Sequence, residues 1–315
     1  MGYLKGSILG PILFSIFIND LPFSSSSKTD MYADDTTISI IGKNLEELNN
    51  RANAVISSVH DWCLKNCMIL NESKTKYLLI TNYQKRATLN LTHLDINIGQ
   101  IPIKQSSEEK LLGVYINENL SWETHIHNLC KKLSNKIMLL KRLKIYMDVP
   151  TRVQFYNAYI FSSLSYCCAV WGLLPTVYTN RLFQFQRRAA RIIFDKPYDY
   201  PYEVLFKKLN WLDFHSLVKY RTVLQTFKCL NNLAQVYLKE LFLYLPPSNY
   251  DLRLRNKTLL SIPSYRTVMY EYSYSVQGAK LFNELSIILI SIEKFSKFKS
   301  DVFNHFCKKF QKINL

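Results

Sequence analysis

The chain has 315 residues, 48% of them apolar, which excludes wholesale disorder and suffices for two domains with sizeable cores. Its 40 Lys and Arg against 24 Asp and Glu leave a formal charge of +16, a surface that attracts phosphates without specifying which. Seven Cys without paired Cys-x-x-Cys blocks argue against a disulfide scaffold or a zinc knuckle. They read as reduced core thiols, as in cytosol or nucleus.

Near the amino terminus, Ile8 to Ile18 is apolar but interrupted by Gly10-Pro11 and followed by Asn19-Asp20. That reads as a helix over Pro11 to Phe17 packed beneath a sheet, with Pro11 tolerated in the first turn, rather than as a secretory signal. Lys28 to Ile41 predicts a strand, a tight turn at Ala33-Asp34 and a second strand rich in β-branched residues. Adjacent Asp34 and Asp35 then sit at a hairpin tip. Two carboxylates about 4 Å apart repel by roughly 4 kcal/mol at an effective dielectric near 20. A fold that fixes them together normally supplies a cation, and oxygen ligands suit Mg²⁺ or Mn²⁺. Without its context an Asp-Asp pair is more often a solvated turn or a helix cap. Next, Asn44-Leu45-Glu46-Glu47 has the form of a capping box. Leu45, Leu48, Ala52, Val55, Val59 and Trp62 repeat at helical spacing behind it. Tyr77 to Thr81 and Leu111 to Ile116 read as further strands.

From Thr124 the pattern turns helical. Ile126, Leu129, Leu133, Ile137, Leu140 and Leu143 form an apolar stripe, while Lys131, Lys132, Lys136, Lys141, Arg142 and Lys144 are cations with no acid between them. They fit either a solvated face or a phosphate-tracking one. Arg181, Arg187, Arg188 and Arg191 form a secondary basic patch. Phe183 and Phe185, interleaved with it, read as core before they read as base-stacking rings. His125 and His127, two apart, do not share a helical face and make a poor joint metal site. Beyond Tyr198 we expect a helix over Asp213 to Asn231, a break at Pro246-Pro247, and a last helix with Phe295, Phe298, Val302, Phe306 and Phe310 on one side. Lys294, Lys297, Lys299, Lys308 and Lys309 flank that stripe, for which core packing is the safer reading. Leu285 to Ile292 is much shorter than the roughly 20 residues a spanning helix needs, so no membrane segment is expected.

Five blocks in order carry a family resemblance. Gly6-Ser7-Ile8-Leu9-Gly10-Pro11-Ile12-Leu13-Phe14, Ile18-Asn19-Asp20-Leu21-Pro22 and Tyr32-Ala33-Asp34-Asp35-Thr36 come first. Leu70-Asn71-Glu72-Ser73-Lys74-Thr75-Lys76 follows, then Leu111-Leu112-Gly113-Val114-Tyr115-Ile116 with Leu120-Ser121-Trp122. Together they resemble reverse transcriptases of non-LTR retrotransposons, the jockey-like group. The resemblance implies an α+β fold: a partial polymerase palm over 1–117, with an antiparallel sheet and catalytic hairpin backed by helices. A basic thumb-like helical region over 118–197 and a C-terminal helical region over 198–315 would follow.

By the same resemblance Asp34 is the principal metal ligand, Asp35 supports it, and Tyr32 lies beneath the nucleotide. Lys5 and Gly6 lie against nucleotide and template, and Lys74 reaches the triphosphate or protonates the leaving pyrophosphate. Leu112 and Gly113 position the primer end. The basic residues from Lys131 to Lys144, with Arg187, Arg188 and Arg191, track the nucleic-acid backbone. Partners would be an RNA template, a DNA primer, deoxynucleoside triphosphates and a further N-terminal polypeptide. The family's metal set includes another Asp upstream of the glycine-bearing block, and only five residues precede Gly6. The expectation is therefore that Mg²⁺ or Mn²⁺ serves only the complete enzyme and that this polypeptide does not polymerise DNA by itself. Leu4-Lys5 also stands where the family usually has Pro-Gln, which puts template contact there in doubt. The alternatives are a non-catalytic nucleic-acid-binding remnant, or a subunit completed by a partner that supplies the missing carboxylate.

Overall fold

A computed structural model describes residues 8–81, 93–174, 176–245 and 259–313. The chain divides into two compact units, Met1–Leu120 and Ser121–Leu315. Helices dominate, with short strands confined to the first unit, so the α+β class holds at that level.

In the first unit, α1 (Gly10–Ile18) starts with Pro11 in its first turn, where the missing N–H costs nothing. It meets the following hairpin only in part: Phe14 and Ile18 share a cluster with Met31 and Ile38, whereas Ile12, Leu13 and Ile16 are exposed. The segment is apolar all round, so its pattern names no inward face. Strands β1 (Lys28–Tyr32) and β2 (Asp35–Ser39) pair antiparallel. The next helix, α2 (Leu45–Lys65), is capped as its sequence predicts. The Asn44 side chain accepts from the Glu47 N–H at 2.8 Å, and the Glu47 carboxylate accepts from the Lys43 N–H at 3.0 Å. Its buried face, Ala52, Val55, Val59 and Cys63, divides between two clusters. Ala52 packs with Leu79, Leu94, Ile96, Ile98 and Ile103, and Val59 and Cys63 pack with Ile18 and Leu21.

The expected continuous antiparallel sheet is not found among the described residues. Four separate two-stranded pieces stand in its place. They are β1–β2, a parallel pair of β3 (Lys76–Leu78) with β6 (Lys104–Ser106), β4 (Asn97–Ile98) with β5 (Ile101–Pro102), and β7 (Glu108–Leu111) with β8 (Val114–Asn117). The strand expected from Tyr77 to Thr81 ends at Leu78, and Leu79 is taken into the core cluster instead. The strand expected from Leu111 to Ile116 is instead a hairpin, because Leu112 and Gly113 both have positive φ, +46° and +89°. Two consecutive left-handed residues reverse the chain and match the twist of a tight hairpin.

The second unit is helical. Its longer helices are α3 (Glu123–Leu143), α4 (Val149–Phe155), α5 (Thr176–Ile193), α6 (Tyr202–Leu209), α7 (Phe214–Leu230), α8 (Tyr274–Asn283) and α9 (Phe295–Ile313). A π-helical turn, Tyr156–Phe161, continues α4. The α3 stripe from Ile126 to Leu140 is buried as its period predicts. Helix α7, started by the Asp213 carboxylate accepting from the Ser216 N–H at 3.1 Å, is buried on nearly every side. Its Thr222 and Thr226 hydroxyls donate to carbonyls one turn back, so no buried hydroxyl is wasted. Gly278 of α8 allows a close crossing here: a Cβ would stand 2.8 Å from Thr226 Oγ1 and 2.9 Å from the Phe242 ring. Phe298 and Val302 of α9 are fully buried, with Phe298 stacked on Phe227 at 4.0 Å between centroids. The aromatic stripe is therefore core. Pro246-Pro247 and the side chains of Lys309 and Phe310 lie outside the described residues. All seven Cys are free, but Cys67 and Cys167 are exposed, which corrects the reading of all seven as core thiols.

Candidate functional site

The β1–β2 hairpin has a strict register. Tyr32 opposes Asp35, Asp30 opposes Thr37, and only Ala33 and Asp34 remain for the turn, Ala33 in the left-handed region at φ +54°. Met31 and Ile38 pack against the cluster built on Val59 and Cys63 and fix the hairpin to α2. Side chains alternate along a strand, so Tyr32 and Asp35 project from the opposite face, and both are exposed with Asp34 beside them. Asp30 shares that face through the same alternation. The sequence reading missed it, although its place two residues before Tyr32 carries the signal.

Asp34 and Asp35 are hard oxygen donors in sequence contact at an exposed tip. Mg²⁺ is commonly held by one or two carboxylates while water and substrate phosphates fill its other positions, so the pair fits an ion shared with a nucleotide. No group of three or more His, Cys, Asp or Glu side chains capable of holding a metal occurs among the described residues.

Lys74 sits in a turn organised by Asn71, whose Oδ1 accepts from Ser73 Oγ at 2.8 Å and the Lys74 N–H at 3.2 Å. Its side chain is exposed, and no ion pair joins it to Asp34 or Asp35 among the described residues. Leu112 and Gly113 form the tip of the β7–β8 hairpin, with Leu112 45% exposed. Lys5 and Gly6 lie outside the described residues.

The six cations of the α3 region separate into two sets. At about 100° per residue, Lys131 and Arg142 fall opposite the apolar stripe and Lys132 and Lys141 to its two sides, and all four are exposed. Lys136 lies closer to the stripe, and Lys144 stands at the C-cap of the helix. The Lys136 ammonium donates to the Tyr159 carbonyl at 2.5 Å and to Ser163 Oγ at 2.6 Å, and burial, then Lys132, holds its pKa below the usual lysine value. Lys144 pairs with Asp195. On α5, Arg181 and Arg188 are exposed. Arg187 lies 4.2 Å over the Tyr202 ring, and Arg191 is buried, its Nε donating to the Tyr200 carbonyl at 3.0 Å. Phe185 is core, and Phe183 packs edge-on against Phe206.

Residues 2–116 match the family model "Reverse transcriptase (RNA-dependent DNA polymerase)". The chain is 24% identical over 220 residues, 66% of its length, to the probable RNA-directed DNA polymerase from transposon BS of Drosophila melanogaster. To the RNA-directed DNA polymerase from mobile element jockey of Drosophila funebris it is 25% identical over 211 residues, 62% of its length. It is also 26% identical over 180 residues, 54% of its length, to a Pol polyprotein from type-1 retrotransposable element R1 2 of Nasonia vitripennis. These matches cover 24%, 22% and 43% of the respective relatives, so the chain spans about a quarter of the length of the first of them. No solved structure matches it significantly. No helix among the described residues is long and apolar enough to cross a membrane.

Proposed function

Because residues 2–116 form a reverse transcriptase domain of the non-LTR retrotransposon type, we propose that the protein bearing this chain copies RNA into DNA from a primer 3′-hydroxyl. The observation that carries the reading is the hairpin with Tyr32 opposite Asp35 and Asp34 in its turn. It presents two carboxylates and one ring on the same exposed edge. Asp34 and Asp35 would hold a divalent ion, which when bound neutralises triphosphate charge and lowers the barrier to attack by the primer hydroxyl. The chain's own part is positional. Met31 and Ile38 seat the hairpin so that the acids do not drift, and Tyr32 offers a flat surface under the incoming nucleotide. The Leu112-Gly113 tip supports the primer end, within a palm-like first unit and a thumb-like 118–197 region. Lys74 would donate a proton to the departing pyrophosphate once substrate draws its turn inward. RNA-templated primer extension by the native protein tests this: extension lost in Asp34→Asn supports it, and extension retained there overturns it.

A second reading, nucleic-acid binding without catalysis, is favoured by one observation: Lys131, Lys132, Lys141 and Arg142 line the exposed side of α3 whether or not the hairpin is used. Metal titration separates the two readings. An idle hairpin binds Mn²⁺ no better than its Asp34→Asn variant.

A further inference from the structure

The second unit holds a cleft of about 390 Å³, bordered by the π-helical turn Tyr156–Phe161, the segment Asn210–Leu212, α7 and α9. This lies within the range of small-ligand sites. Aromatic rings supply much of its wall. Tyr156 is buried and stacks on Trp211 with centroids 3.9 Å apart and planes 22° apart, while half-buried Trp211 and Phe303 also line the space. The turn that delivers Tyr156 is itself a rare conformation, one that concentrates at functional sites.

Polar chemistry in the cleft is selective. Gln186, 1% exposed, donates from Nε2 to the Tyr156 hydroxyl at 3.4 Å and to the Leu212 carbonyl at 3.3 Å, while its Oε1 has no hydrogen-bond partner. At the rim stand Arg221 and Lys299, both exposed, and no carboxylate among the described residues lines the cleft. An indole face and rim cations are two features by which proteins take hold of an unpaired nucleotide: stacking on the base and neutralising its phosphate.

We propose that this cleft receives one unstacked base of a single-stranded nucleic acid. The base packs on Trp211 and Phe303, whose wall Gln186 steadies through Tyr156, and Arg221 and Lys299 hold the adjoining phosphate. The site belongs to a part of the chain outside the 2–116 family match and needs neither the hairpin nor a divalent ion. It shares with the polymerase reading only the class of partner.

The test is fluorescence anisotropy of a labelled oligouridylate titrated with the full chain in the presence of chelator, beside an abasic oligomer of equal length and charge. The base-bearing oligomer is expected to bind at least about fivefold more tightly, the effect of one stacked base. Ser300→Trp, at an exposed α9 position lining the cleft, fills it with an indole and is expected to bring the ratio to one without changing abasic binding. Trp211→Ala is expected to do the same, and Ser300→Trp decides the matter should loss of the Tyr156 stack unfold that variant. An oligothymidylate series run in parallel tells whether RNA or DNA occupies the cleft, a base-dependent ratio with either one supporting the site. Equal binding of base-bearing and abasic oligomers by the wild-type chain, or an unchanged ratio in Ser300→Trp, overturns it. Because chelator is present, failed primer extension has no bearing on the result.

Discussion

Tyr32 and Asp35 pair across the first hairpin, leaving Ala33 and Asp34 alone in its turn and both acids at its exposed tip. Charge can therefore be removed there with little disturbance of packing. Asp34→Asn and, separately, Asp35→Asn are expected to change unfolding free energy by no more than about 0.5 kcal/mol. Each is expected to weaken Mn²⁺ binding in the presence of a deoxynucleoside triphosphate by at least about tenfold, since loss of a supporting partner alone costs that much. Electron paramagnetic resonance of free Mn²⁺ measures it, and equal binding by wild type and variants removes the hairpin from metal chemistry.

The β7–β8 tip separates stability from function. Leu112 holds φ +46°, a conformation costing roughly 1–2 kcal/mol for a residue bearing Cβ and better tolerated by Asn. Leu112→Asn is expected to raise first-unit stability by about 0.5 kcal/mol and, if the exposed leucine supports the primer end as proposed, to lower primer extension. Thermal unfolding and extension are read on the same preparation. Extension that rises with stability would show that the side chain has no part in primer placement.

Much of this was legible because periodicity is a local property. The spacing from Ile126 to Leu140 gave the buried face of α3, and Lys28 to Ile41 gave the hairpin with its turn at the right pair of residues. What escaped were contacts that no period encodes. Lys136 is consumed by Tyr159 and Ser163, 23 and 27 residues away, Arg187 by Tyr202 at the start of α6, and Arg191 by Tyr200 in the irregular stretch before it. A broken sheet escaped as well, since Val-, Ile- and Leu-containing runs announce strands but not their partners. Asp30, two residues before Tyr32, shares the exposed face by strand alternation alone.

Arg152 shows how a single side chain joins three helices' ends. Its guanidinium donates to the carbonyls of Lys144 at 2.6 and 3.1 Å, Met147 at 2.9 Å and Ile193 at 2.9 Å. An ammonium is a point donor and cannot reproduce this planar fork. Arg152→Lys is expected to destabilise the second unit by about 2 kcal/mol, the cost of leaving part-buried carbonyls unpaired. Denaturant unfolding checks it, and a loss below about 0.5 kcal/mol defeats the assignment.

Two histidines give the second unit an acid limit. His125 is buried against Trp171, its ring centroid 4.9 Å from the indole, and burial, then Lys132, lowers its pKa. His215 lies between Thr179 and Asn180, each at 3.1 Å. Burial lowers its pKa too, with Asp213 opposing and Lys219 assisting. The unfolded chain, whose imidazoles titrate near ~6.5, therefore takes up protons before the folded chain does. Stability is full at neutral pH and declines as pH falls through that value toward the lower folded-state pKa values. The thermal midpoint of the second-unit transition is expected to drop between pH 7.5 and 5.5. His125→Phe combined with His215→Gln should flatten the decline, and an equally steep decline in that variant assigns the acid sensitivity elsewhere.

Helix α3 and its C-cap offer fewer free cations than they carry. Six basic residues lie between Lys131 and Lys144, but Lys136 is committed to Tyr159 and Ser163, and Lys144 to Asp195. Four remain exposed away from the buried stripe: Lys131, Lys132, Lys141 and Arg142. Each phosphate contact on a duplex contributes about −0.9 to the log-log salt dependence, so these four account for a slope of roughly −3 to −4 rather than the roughly −5 expected of six. Replacing all four by Gln should remove that much from the measured slope for a template–primer duplex, whereas Lys136→Gln should leave the slope unchanged and lower stability instead. A slope that falls by about one on Lys136→Gln would mean that this lysine leaves its carbonyl for phosphate when nucleic acid binds.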